Sequence, residues 1–138
     1  MTIYFDENFP EHLVTGFSVL QQYEGVKVGL NLEVAYIPKK FHRGIKDEDW
    51  IPKLDAKSSF VITQDINLTR RKLEIELYKK HSIGLFIVRG ISKKKGLSVW
   101  EMVELLSKNW SFIIDTIKRT STPFAYELKL NGKPNKLQ

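Results

Sequence analysis

Apolar residues in this chain fall into short β-branched and aromatic runs, separated by stretches with helical spacing. Ile3-Tyr4-Phe5, Leu32 to Ile37, Phe60 to Thr63 and Ile83 to Val88 each read as a buried strand. Leu13, Val14, Phe17 and Leu20 recur at helical spacing after Asn8-Phe9-Pro10-Glu11, which resembles a capping box with Pro10 in the first turn. Gly25 is expected to end that helix, and Pro38 to stop the second strand. Asp47-Glu48-Asp49-Trp50 opens a short helix with Pro52 still in its early turns, and another helix runs through Arg70 to Leu77. Lys93 to Gly96 reads as a loop. Ser98-Val99-Trp100-Glu101 is a capping-box signature for the longest helix, running to about Arg119 with Val103, Leu106, Trp110, Ile113 and Ile117 inward. Phe124 to Leu130 alternates like a half-exposed edge strand.

Strand alternating with helix predicts an α/β fold with a mainly parallel sheet, formed by one domain over residues 1–130. Residues 131–138 form a polar tail that is expected to fray. Trp50, Trp100 and Trp110 lie on predicted helices and are expected in the core.

Composition narrows the chemistry. The absence of cysteine excludes disulfides and thiolate metal sites, and fits a reducing cytoplasm. Met1 to Asp6 reaches an acid too early for a signal peptide, and no apolar run approaches the ~20 residues of a membrane helix. The 22 Lys and Arg against 16 Asp and Glu leave a net charge of +6. The positive groups cluster at Lys39-Lys40 with His42-Arg43, at Arg70-Arg71-Lys72, at Lys79-Lys80 and at Lys93-Lys94-Lys95. Such clusters attract phosphate backbones in a salt-sensitive way, although charge alone favours a solvated surface.

Three acids change that balance. Asp6 closes the first strand, Asp65 follows the Phe60 to Thr63 run by one residue, and Asp47 opens a helix that feeds the same strand. All three are therefore expected at the carboxyl edge of a parallel sheet, where ligands bind in open α/β folds. Each has a structural alternative: Asp47 as an N-cap, Asp65 in an Asx turn, Asp6 as a cap for the first helix. Their coincidence at one edge points instead to a shared cation, because packed carboxylates repel unless neutralised. Oxygen-only ligands select Mg²⁺ or Mn²⁺, which activate water and brace a scissile phosphate. Asn67, Glu74 and Asp49 are further candidates near the site, and Arg43, Arg70 and Arg71 are candidates for phosphate contact. His12, His42 and His81 have no zinc-ligand spacing, and no glycine-rich phosphate loop exists. A phosphoacceptor domain also places acids at strand ends, but leaves the +6 charge and the Arg70-Arg71 pair unexplained.

Tyr4-Phe5-Asp6-Glu7-Asn8-Phe9-Pro10, then Lys46-Asp47-Glu48-Asp49-Trp50-Ile51-Pro52, then Val61-Ile62-Thr63-Gln64-Asp65 with Arg70-Arg71 and Glu74, resemble the PIN-like domains of VapC-type toxins. The resemblance spans roughly residues 3 to 90. It implies a three-layer α/β/α PIN-like fold, Mg²⁺- or Mn²⁺-dependent ribonuclease activity on RNA, and a cognate antitoxin in a type II toxin–antitoxin pair. A homodimer stays open. Asp6, Asp47 and Asp65 match the metal-holding acids of the family. Where many PIN domains carry a further acid, this chain has Asn67, so Glu74, Asp49 or Glu48 are candidates to replace it, and a catalytically silent RNA-binding or protein-interaction module is the alternative.

Overall fold

A computed structural model describes residues 1–65, 68–90 and 96–137, the side chains of 65 and 68–71 lying outside that description. The chain runs β1 (Thr2–Phe5), α1 (Glu11–Val28), β2 (Glu33–Tyr36), α2 (Ile37–Lys40) and α3 (Asp47–Trp50). A 3-10 turn over Ile51–Lys53 leads to β3 (Ser59–Asp65), α4 (Leu68–Lys80), β4 (Gly84–Arg89), α5 (Val99–Arg119), β5 (Phe124–Leu128) and β6 (Asn135–Lys136). The strands form one sheet in the order β2-β1-β3-β4-β5-β6, parallel except for the last pair.

Strand alternation divides the core in two. Ile3, Phe5, Phe60, Ile62, Phe86, Val88 and Leu128 face a layer made by α1 and α5. Tyr4, Val61, Leu85, Ile87 and Ala125 face Ile37, Trp50, Ile51, Leu54 and Tyr78 on the opposite side. The result is the three-layer α/β/α arrangement with a mainly parallel central sheet. From β1 the chain crosses outward to β2 in one direction, whereas β3 and β4 extend in the other. The carboxyl ends of β1 and β3 therefore flank a topological switch point, the crevice where open α/β sheets bind ligands.

Several local expectations are corrected. Asn8 does not cap α1; the helix starts at Glu11 with Pro10 as its cap residue and no side-chain cap bond. Asn8 is engaged elsewhere, its backbone N–H donating to Asp6 and its amide to the Gln64 carbonyl. Gly25 does not end the helix, which continues to Val28 and stops at Gly29, where φ is +69°. Gly25 is instead a close-approach position: a Cβ there would lie 2.7 Å from the Leu30 carbonyl oxygen. The second strand does stop before Pro38, at Tyr36, and Pro38 lies in the first turn of the short α2, where proline fits.

At the other end, Ser98 and Glu101 form the expected capping box on α5. Trp50 is buried and Trp110 partly buried, but Trp100 is 80% exposed rather than in the core. Phe124–Leu128 is not a half-exposed edge strand: it lies between β4 and β6 and is mostly buried. The tail does not fray as expected, because Asn135–Lys136 pairs with β5 and the Leu137 N–H donates to the Ala125 carbonyl at 2.8 Å. The Lys93 to Lys95 part of the expected loop lies outside the described residues.

Candidate functional site

β1 delivers Asp6 to the switch-point crevice because its preceding residue, Phe5, is locked in register with Ile62 of β3. The Thr63 hydroxyl, from the next position of β3, donates to Asp6 Oδ2. The Asn8 N–H donates to Asp6 Oδ1 at 3.1 Å, closing an Asx turn. Asn8 also ties the turn to β3 through its amide, 3.2 Å from the Gln64 carbonyl oxygen. Sheet register and turn chemistry thus hold one carboxylate from two directions.

α3 supplies Asp47 at its first position, with Lys46 before it as cap residue. Its orientation comes from below: the Trp50 indole N–H donates to Asp47 Oδ1 at 3.1 Å. Trp50 is 2% exposed and packs against Phe41 and Tyr78 with ring centroids 6.3 and 6.1 Å away. The loop between α2 and α3 is held by Glu7, which accepts the Gly44 N–H at 3.4 Å. Gly44 has a φ of +75°, which favours glycine there.

These elements enclose a cavity of about 1080 Å³. Its acidic lining comprises Asp6, Glu7, Asp47, Glu48 and Glu74, with Lys46 and His42 at the same wall. Apolar side chains of the second core, including Ile37, Trp50 and Tyr78, form the floor. Burial first, with the negative charges of Asp47 and Glu7 adding to it, pushes the Asp6 carboxyl up to about 7 against the pull of the Thr63 and Asn8 hydrogen bonds. A carboxyl in this state is relieved by a proton or by a bound cation. The acids supply oxygen donors, which suit a hard divalent ion such as Mg²⁺ or Mn²⁺.

Of the expected acids, Asp6 and Asp47 lie near enough for the charge of one to act on the other, and Glu74 of α4 lines the same cavity. Asp49 is exposed and is not among the residues lining the cavity. The backbone of Asp65 ends β3 opposite Arg89 of β4, but its side chain lies outside the described residues, as do Asn67 and the side chains of Arg70 and Arg71. Among the described residues no group of three or more His, Cys, Asp or Glu side chains is placed so that it could hold a metal ion. Arg43 is exposed, and its positive charge acts on the Tyr36 hydroxyl, which donates to the Phe9 carbonyl at 2.8 Å. Among the described residues no helix is long and apolar enough to cross a membrane.

Thr63, Asn8 and Trp50 are the residues that reasoning on acids alone overlooked. Thr63 carried a signal, since a hydroxyl residue on an otherwise apolar buried strand needs a partner. The Trp50 contact carried only its spacing, three residues from Asp47 on one helical face. Among family models, one described as a PIN like domain matches residues 1–90. No curated protein and no solved structure matches the chain.

Proposed function

This chain belongs to the PIN-like domain family, and from that premise we propose that it is a metal-dependent endoribonuclease acting as the toxin of a type II toxin–antitoxin pair. The family is commonly nucleolytic, typically depends on divalent metal and generally engages RNA. The observation that carries the reading is Asp6: a carboxyl at the switch-point crevice, fixed by Thr63 and Asn8 and facing a second acid, Asp47.

Asp6, Asp47 and Asp65 are the residues that would hold Mg²⁺ or Mn²⁺, with Glu74 or Glu48 as the further acid in place of Asn67. When bound, the ion would supply Lewis-acid activation of water and neutralise charge at the phosphodiester. The protein's own contribution is positioning. Thr63 and Asn8 hold the Asp6 oxygens, Trp50 holds Asp47, and the apolar floor lowers the local dielectric so that charge interactions strengthen. Arg43, Arg70, Arg71 and the lysine clusters provide the attraction for the RNA backbone in a protein of net charge +6.

The test is cleavage of RNA by the purified chain with Mg²⁺ or Mn²⁺, with chelator, and with Asp6→Asn. Cleavage that needs the metal and is lost in the variant supports the nuclease. Binding of RNA without cleavage under every metal condition supports the silent module that Asn67 suggests. The toxin assignment is read separately, as growth arrest on expression that is relieved by co-expressing the product of an adjacent reading frame.

A further inference from the structure

We propose that Arg89, seated on the buried acid Glu127, is a phosphate-binding residue that receives the RNA backbone on the far side of the site from Asp47. This rests on the ribonuclease reading and adds a contact to it. Three observations carry it.

The first is placement. Arg89 is the last residue of β4 and is in register with Asp65, the last residue of β3. Reading across the carboxyl edge from β1, the chain presents Asp6, then Asp65, then Arg89. With strands about 4.8 Å apart, Arg89 begins roughly 10 Å from the line of β1, close enough for its long side chain to meet a strand crossing the crevice.

The second is direction. Leu85 and Ile87 of β4 face the second core, so the two-residue period aims Arg89 to the same face. That is the face of Ile37, Trp50 and Tyr78, which floor the cavity.

The third is the support beneath it. The Arg89 side chain is 63% exposed, whereas that of Glu127 is only 6% exposed, and Arg89 Nη1 lies 3.8 Å from Glu127 Oε1. Arginine is the cation suited to this duty, because its planar fork has five donors and matches phosphate geometry. A 3.8 Å approach is too long for a hydrogen bond, so the pair fixes where the guanidinium sits without committing its donors. Glu127 therefore acts as a positioning residue.

The experiment measures binding of an unstructured, fluorescently labelled oligoribonucleotide across a salt series, with chelator present to prevent cleavage. Arg89→Ala alone takes one cation away from a buried acid and is expected to lower the melting temperature. The variant Arg89→Ala with Glu127→Gln removes that charge and is expected to recover most of the stability while still binding RNA weakly. Its salt dependence should be shallower by about 0.7 in the logarithmic slope, the loss of one phosphate contact on a single strand. In cleavage, KM should rise several-fold more than kcat falls, with partial rescue by Arg89→Lys. If wild type binds RNA and the double variant binds with the same affinity and slope, the proposal is overturned and the ribonuclease reading stands. If wild type itself does not bind RNA, both fall.

Discussion

The indole N–H of Trp50 donates to Asp47 Oδ1 at 3.1 Å, so a core side chain that is 2% exposed orients a carboxylate of the candidate site. The helix carrying both residues spans only Asp47–Trp50, and helices this short have little stability of their own. Packing of Trp50 against Phe41 and Tyr78 therefore transmits the position of the core to Asp47. Trp50→Phe keeps an aromatic ring but removes the donor. It is expected to weaken divalent-metal affinity by about 10-fold to 100-fold, the usual effect of losing a partner behind a ligand. Calorimetric titration with Mn²⁺ checks this, and affinity equal to wild type would refute the positioning role.

Thr63 performs the corresponding service for Asp6. Thr63→Val preserves shape on a buried strand while deleting the hydroxyl that donates to Asp6 Oδ2. Because that bond favours the ionised carboxylate, its loss should raise the Asp6 pKa further and weaken metal binding most at lower pH. Metal titrations of both proteins across pH would reveal a pH-independent difference if this account is wrong.

The pH dependence follows from Asp6 itself. Its carboxyl rises from 3.8 to about 7 on folding, through burial first and the charges of Asp47 and Glu7 last. A proton held more tightly in the fold than in the unfolded chain stabilises the fold at low pH. That contribution is fully present below the unfolded value and is lost as pH climbs towards about 7. Metal-free wild type should therefore lose stability relative to Asp6→Asn between about pH 4 and about pH 7. A divalent ion competes with the same proton, so its affinity should increase with pH over this range. Thermal melts of the two proteins with and without Mn²⁺ make the comparison; parallel curves would remove Asp6 from this role.

Asp65→Asn is expected to abolish RNA cleavage and toxicity while preserving the fold. The substitution keeps the size of the side chain at the end of β3 but removes the charge that a hard cation needs. Wild type at Mn²⁺ concentrations about 100 times Kd should gain about 2.7 kcal/mol of stability, and the variant far less. A variant that unfolds while its folded fraction still cleaves RNA would mark Asp65 as a structural turn residue.

Gly84→Ala provides a contrast in the core. A Cβ at Gly84 would press on the Phe124 ring and lie 2.7 Å from Phe60 Cδ1. Overpacking of this kind costs about 1–3 kcal/mol, which should appear as a lower melting temperature. Cleavage per folded molecule should stay near wild type, since Gly84 begins β4 at the end of the sheet opposite the site. A large loss of kcat at unchanged stability would contradict that separation.

The sequence alone determined the alternation of strand and helix, because buried strands and amphipathic helices impose different hydrophobic periods on the chain. It also set the capping box at Ser98 and Glu101 and brought Asp6 and Asp47 to one edge, because in parallel α/β units strands end and their helices begin on the same side. Tertiary structure decided the rest. Gly25 looked like a stop because glycine often is one, but only the fold reveals the Leu30 carbonyl that needs its missing side chain. The polar residues after Asn131 looked solvated, yet they satisfy backbone groups of β5 that no local pattern identifies as unpaired. Trp100 belongs to a helix that buries its other face, a distinction that its own apolar character hides. Thr63 against Asp6 joins residues 57 positions apart, and Arg89 against Glu127 joins neighbouring strands across α5. Local propensity acts over a few residues, whereas these contacts depend on which strands become neighbours and in what register, and that is settled only when the whole sheet closes its two cores.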